Sequence, residues 1–142
     1  MQAVVQSTEA NRDFVSSRAY WASWIISGLL ILFLAFDAVI KLFPLEVVTQ
    51  TMAELGWPAT ASMARLLGVL TLICTILYAI PRTSVLGAIL LTGYLGGAIA
   101  THIRIGNPLF SHTLFGVYLG IMAWGALYLR DPRVRALLPL RR

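Results

Sequence analysis

The chain has 142 residues, 58% of them hydrophobic and only 12% charged, with a formal net charge of +5 and a mean hydropathy of +0.80. A soluble domain carries about a quarter charged residues, so this chain has too little polar surface to cover a water-soluble core and takes the bilayer as its solvent. Its basic residues sit at the ends of apolar runs without interleaved aromatics, which argues against nucleic-acid binding, and its single cysteine, Cys74, excludes an intrachain disulfide, a CxxC redox pair or a cysteine-based zinc site.

Residues 1–19, "MQAVVQSTEANRDFVSSRA", are mixed and polar and include Glu9 and Asp13; they read as a cytoplasmic segment. The apolar run that follows exceeds the roughly 7 to 15 residues of a signal-peptide core, so it is expected to be an uncleaved first span. Crossing about 30 Å of hydrocarbon takes about 20 helical residues. Four windows of that length occur, at approximately 20–43, 59–80, 84–103 and 111–129. Pro44, Pro58, Pro81, Pro108 and Pro132 all fall at their junctions, where a missing N–H and a clash with the preceding turn end a helix. The expected fold is all-α: an integral membrane four-helix bundle over residues 20–129, followed by a basic tail over 130–142.

The connection Pro81-Arg82-Thr83 forces spans two and three into a tight antiparallel hairpin, and "RIGNP" is nearly as short. The first connection is longer. Within it Leu45, Val48, Met52 and Leu55 recur at helical spacing, with Glu46, Gln50 and Glu54 on other faces, which predicts a short interfacial helix followed by Trp57 at headgroup level. One side of the membrane would carry Arg12, Arg18, Arg82, Arg130, Arg133, Arg135, Arg141 and Arg142, and the other Lys41, Arg65 and Arg104. The positive-inside rule then places both termini in the cytoplasm. The basic tail adds attraction to anionic lipid. Trp21, Trp24, Trp124 and Tyr128 lie toward the cytoplasmic ends of spans one and four, as an interfacial belt would.

At about 1.5 Å of rise per residue, Asp37 lies roughly 8 Å past the midpoint of span one on the non-cytoplasmic side. Lys41 is near the rim, and Arg65 enters span two at nearly the depth of Asp37. His102 and Arg104 end span three on that side and His112 opens span four there. These six ionisable residues share one half of the bundle, and the other half holds almost none. Lone charges in a membrane helix are disfavoured by about 2.5–3.5 kcal/mol, so such residues turn toward the bundle interior, a partner or water. Asp37 and Lys41 are four apart and can pair directly, and Arg65 is a second candidate partner from the neighbouring helix. His102 and Arg104 point to different sides of a helix, so an inward His102 leaves Arg104 at the rim.

Three readings of this cluster stand: a salt-bridge network that fixes helix register, a polar cavity open to the outer leaflet that binds the head of a small amphiphile, and a proton-transfer site. The histidines titrate near neutral pH, but two of them without a third ligand do not point to a metal. Spans three and four each carry a GxxxG, Gly93/Gly97 and Gly116/Gly120, expected to let these helices approach closely inside the bundle or across a homodimer.

The "KLF" ending of span one, the "LGWP" before span two, the "IPRT" hairpin and the "GGAIATHIRIGNP" closing span three occur in order over approximately residues 20–135. In this the chain resembles the DoxX-like family of small four-span membrane proteins. The resemblance implies a four-helix membrane bundle and carries Lys41 and the His102 region over as matching positions. It implies less about activity: the family takes its name from a subunit linked to thiosulfate:quinone oxidoreduction, and relatives include assembly or chaperone-like proteins. Many relatives have an acidic residue in span two where this chain has Thr71, so that role is absent here or has moved to Asp37.

The function expected from the sequence is a membrane protein that is non-catalytic on its own or accessory, with an outer-half polar cavity for a quinone, lipid or other amphiphile. The alternatives are a membrane subunit of a quinone-coupled oxidoreductase and a membrane-protein assembly factor. No intrinsic cofactor is expected, with a quinone the candidate ligand. The expected partners are the bilayer and a homodimer or a membrane redox protein. An excess of arginine over lysine suits a GC-rich bacterium, hence a bacterial cytoplasmic membrane.

Overall fold

A computed structural model describes the backbone of residues 2–138 and the side chains of 17–138. The side chains of Glu9, Arg12 and Asp13, together with Arg141 and Arg142, lie outside the described residues. The described residues form helices and no strand: α1 (Gln2–Leu42), α2 (Glu46–Glu54), α3 (Ala61–Ala79), α4 (Ser84–Arg104), a π-helical turn (Leu109–Thr113), α5 (Phe115–Arg130) and α6 (Pro132–Leu137). Among them, four segments are long and apolar enough to cross a membrane: Ser17–Leu42, Ala61–Ala79, Ser84–Arg104 and Leu109–Arg130.

Local chemistry explains where these elements begin and end. Thr60 caps α3 by accepting from the Met63 N–H at 3.3 Å, and Asp131 caps α6 by accepting from the Arg133 N–H at 2.9 Å, with Pro132 in the first turn, where its missing N–H costs nothing. Pro108 opens the wide turn before α5: its carbonyl accepts from both the His112 and Thr113 N–H groups at 3.2 Å. Gly56 and Gly106 take positive φ, 72° and 71°, where the chain turns after α2 and after α4.

The four long helices pack in a ring, α1 against α3 and α5, and α4 against α3 and α5. The buried face of α3 reads Ala64, Gly68, Thr71, Thr75 and Tyr78, a repeat of three and four residues that turns one stripe inward. At the end bearing the Pro81 connection, hereafter the hairpin end, packing is closest: a Cβ added to Gly87 would lie 2.5 Å from the Tyr78 Cα. The main core joins Leu30, Leu34, Tyr78, Leu91 and Leu127 there and includes Val134 of α6. The tail read as a lipid-attracting basic segment therefore also contributes an apolar anchor, and Arg135 donates to the Tyr128 and Leu129 carbonyls at 2.6 Å, satisfying the end of α5.

The opposite end is covered by α2. Val48 and Met52 pack on Ala64 of α3 as a separate small core. The apolar face expected from the sequence is buried at Val48 and Met52 and half-buried at Leu55, whereas Leu45 is exposed because it precedes the first turn.

Candidate functional site

Beneath α2 lies a cavity of about 560 Å³, within the size range of small-molecule sites. Its walls are mostly apolar: Ile40 from α1, Val48 and Met52 from α2, Leu67 and Leu70 from α3, and Ala98 from α4. Gly93 and Gly97 floor the gap between α3 and α4. Both glycines are exposed, and a Cβ on either would meet nothing within 4 Å. The two helices thus touch at the hairpin and leave a crevice toward α2, open on the outer surface of the ring.

The polar wall is built by α1 and α4. Lys41 Nζ donates to Asp37 Oδ2 at 2.5 Å and to Tyr94 Oη at 3.0 Å. The i,i+4 spacing makes the first contact, and the second reaches across the ring from α1 to α4. The pair is mostly buried, with side-chain exposure of 21% for Lys41 and 26% for Asp37. Tyr94 accepts from Lys41, and among the described residues nothing takes its hydroxyl hydrogen, so that donor is available to a ligand.

His102 lies two turns along α4 from Tyr94 and on the same cavity. Asn107 Nδ2 lies 2.7 Å from His102 Nδ1; an amide nitrogen can only donate, so Nδ1 accepts and the ring hydrogen sits on Nε2. The His112 ring, held by Ser111 at 2.7 Å, stands edge-on to His102 with centroids 5.8 Å apart. His112 lines a second cavity of about 130 Å³ on the other side of the bridge; Asp37, Lys41, Tyr94 and His102 line both.

Two of the six ionisable residues fall elsewhere. Arg65 is exposed and makes no ion pair among the described residues, the one between Lys41 and Asp37 being the only one. The candidate Asp37–Arg65 contact does not form: Arg65 follows inward-facing Ala64 by one residue, about 100° off the buried stripe, and stands three residues nearer the α2 end than the position of α3 that meets Lys41. The position that meets α1 is Gly68, where a Cβ would lie 3.0 Å from the Ala38 carbonyl oxygen and from Lys41 Cβ. Arg104 lines neither cavity and reaches sideways, donating to the Leu55 carbonyl at 2.7 Å. It thereby ties the α2–α3 loop, which forms part of the cavity roof, to the end of α4.

The glycine motifs are likewise divided. Gly116 packs against α4, where a Cβ would lie 2.8 Å from Ile99 Cγ1, but Gly93, Gly97 and Gly120 have open space instead of a close neighbour. The closest approaches to a neighbouring helix's backbone are at Gly87 and Gly68, outside both motifs.

The hairpin end holds a polar chain that the charge pattern did not reveal. Tyr78 Oη donates to the Ala123 carbonyl at 3.1 Å, so Ser27 donates to Tyr78 Oη at 3.1 Å and accepts from Arg130 at 2.7 Å. The Arg130 guanidinium lies 4.5 Å from the centre of the Trp24 ring, a cation–π distance. Arg130, counted as a topology determinant, therefore reaches into the ring. Trp124, expected in an interfacial belt, donates to Thr92 at 2.8 Å.

Sequence reading missed Tyr94, Ser27 and the cavity role of Trp57. Tyr94 was findable, since a separation of eight places it on the His102 face of one helix. Thr71 is fully buried and donates to the Leu67 carbonyl within its own helix at 2.9 Å, so it does not reach the cavity. No group of three or more metal-ligating side chains gathers among the described residues.

Compared with known proteins, the chain matches the family model described as the DoxX-like family over residues 25–126. No curated protein and no solved structure matches it significantly. The matched span runs from α1 to α5 and contains every residue that lines the two cavities.

Proposed function

The chain belongs to the DoxX-like family, a multi-pass membrane protein by its four apolar helices, and from that premise we propose that it binds the head of a small amphiphile, a quinone or a lipid, in the cavity beneath α2. The observation that carries this reading is the combination in one cavity of apolar walls, a crevice between α3 and α4 and a polar wall with a free Tyr94 donor. An amphiphile's tail fits the crevice and its head the polar wall. The Lys41–Asp37 pair is formally neutral, so it offers hydrogen bonds without leaving an isolated charge in the membrane.

The protein is a four-helix bundle of a bacterial cytoplasmic membrane with both termini inside. Arg18, Arg82, Arg130, Arg133 and Arg135 at the hairpin end, against Lys41, Arg65 and Arg104 at the α2 end, support that orientation. The cavity then faces the outer leaflet. The role in this reading is binding or accessory, with any electron transfer coming from a partner.

Trp57 lines the cavity, whereas Trp21, Trp24 and Trp124 belong to the hairpin half of their helices. Titrating a short-chain benzoquinone into the protein in nanodiscs should quench fluorescence saturably. The saturable part should vanish in Trp57→Phe and weaken about tenfold in Tyr94→Phe, the equivalent of about 1.4 kcal/mol. Linear quenching that is equal in all three proteins refutes quinone binding. A lysophospholipid that displaces the quinone identifies the site as a general amphiphile site.

A further inference from the structure

We infer that the smaller cavity is a hydrated chamber, an aqueous half-channel that brings water and protons from the His112 end to the Asp37–Lys41–Tyr94 bridge. Its volume of about 130 Å³ accommodates about four waters at their liquid volume of roughly 30 Å³ each. Size alone would not fill it, because apolar cavities stay dry; water enters where each molecule finds two to four polar partners. Five polar side chains line this one: Asp37 and Lys41 from α1, Tyr94 and His102 from α4, and His112 from the π-helical turn. The facing part of α5 contributes Phe115, Gly116 and Leu119 and no titratable group.

The geometry separates water from lipid. His112 is exposed at the end of the ring, and its ring leads to His102, 5.8 Å away, and so toward Lys41. On the outer surface the gap between α1 and α5 is closed by Phe33 and Phe115, edge to face with centroids 5.4 Å apart. The bridge between α1 and α4 then acts as a partition, with the apolar cavity and its crevice on one side and the hydrated chamber on the other. A half-buried Lys–Asp pair in a membrane helix needs such a contact with water, because its remaining hydrogen-bonding capacity is otherwise unfilled. The use of that water by a bound head group rests on the amphiphile reading, whereas the hydration itself does not.

The test is cysteine accessibility in nanodiscs, which leave both faces of the membrane open to reagent. The native thiol, Cys74, is buried at 2% exposure and sets the background. Ile99→Cys and Leu119→Cys place a thiol on the walls of the small cavity alone. Phe36→Cys places one beside Asp37 in sequence but on the outer face of α1, at 65% exposure. A charged, membrane-impermeant methanethiosulfonate should modify the two chamber thiols at least tenfold faster than the Phe36→Cys thiol. Equal rates, or chamber thiols that react with lipid-soluble N-ethylmaleimide but not with the charged reagent, overturn the chamber. Unchanged thermal unfolding shows that each variant is folded, and Leu95→Cys, which also lines the small cavity alone, provides a second chamber thiol if either variant fails. Reactive thiols in a protein that binds no amphiphile would remove the proposed function and leave the chamber; inert thiols with binding intact would do the reverse.

Discussion

The two ends of the helix ring use similar side chains for opposite purposes. At the hairpin end a hydroxyl, a phenol and a guanidinium are spent on one another: Arg130 donates to Ser27, Ser27 to Tyr78, and Tyr78 to the Ala123 carbonyl. At the α2 end the bridge from Lys41 to Tyr94 stops at a phenol whose hydrogen is unused among the described residues, and cavities lie on both sides of it. Glycine divides in the same way. Gly87 brings two backbones into contact, whereas Gly97 keeps a crevice open. A closed polar chain stabilises packing, and an open one is a binding surface; the difference lies in whether the last donor has an acceptor within the protein.

Substitutions that exchange the two behaviours test this contrast. The largest effect is expected for Gly87→Leu, whose side chain would be driven into the Tyr78 backbone; it should lower stability by about 3 kcal/mol or prevent folding, read as thermal unfolding in detergent. Gly97→Leu should act in the opposite sense. Nothing lies within 4 Å of where its Cβ would sit, the side chain extends into the open crevice, and replacing a helical glycine adds up to about 1 kcal/mol of helix propensity. Its melting temperature should therefore hold or rise while the filled crevice weakens benzoquinone binding at least tenfold. A Gly97→Leu protein that unfolds like Gly87→Leu would mean that the crevice is a packed interface. The smallest effect is expected for Tyr78→Phe, which breaks the hairpin-end chain and should cost about 1 kcal/mol of stability with amphiphile binding unchanged. A change in binding there would show that the two ends are coupled.

Much of this architecture was legible in the sequence. The prolines at the junctions and the length of the apolar runs located the four segments because both act locally along the chain. The Asp37–Lys41 pair was legible for the same reason, as one turn of helix brings the two residues together. What the sequence did not carry was which face of each helix meets which neighbour. Arg65 lies exposed, off the face of α3 that meets α1, and Gly93 and Gly97 have the spacing of a packing motif but face open space. The Ser27–Tyr78–Arg130 chain was hidden because its members are 51 and 103 positions apart from Ser27, and only the antiparallel ring brings them together. The tail's Val134 was obscured by the arginines around it, although it is 2% exposed in the core.

The most direct test of the binding claim is a crystal structure of the protein grown from a lipidic mesophase containing the benzoquinone. Ordered density should fill the cavity beneath α2, with a head-group oxygen within hydrogen-bonding distance of Tyr94 Oη and a tail leaving between α3 and α4 past Gly97. An α2 collapsed onto Leu67 and Leu70, with no ligand density between Lys41 and His102, would contradict the account.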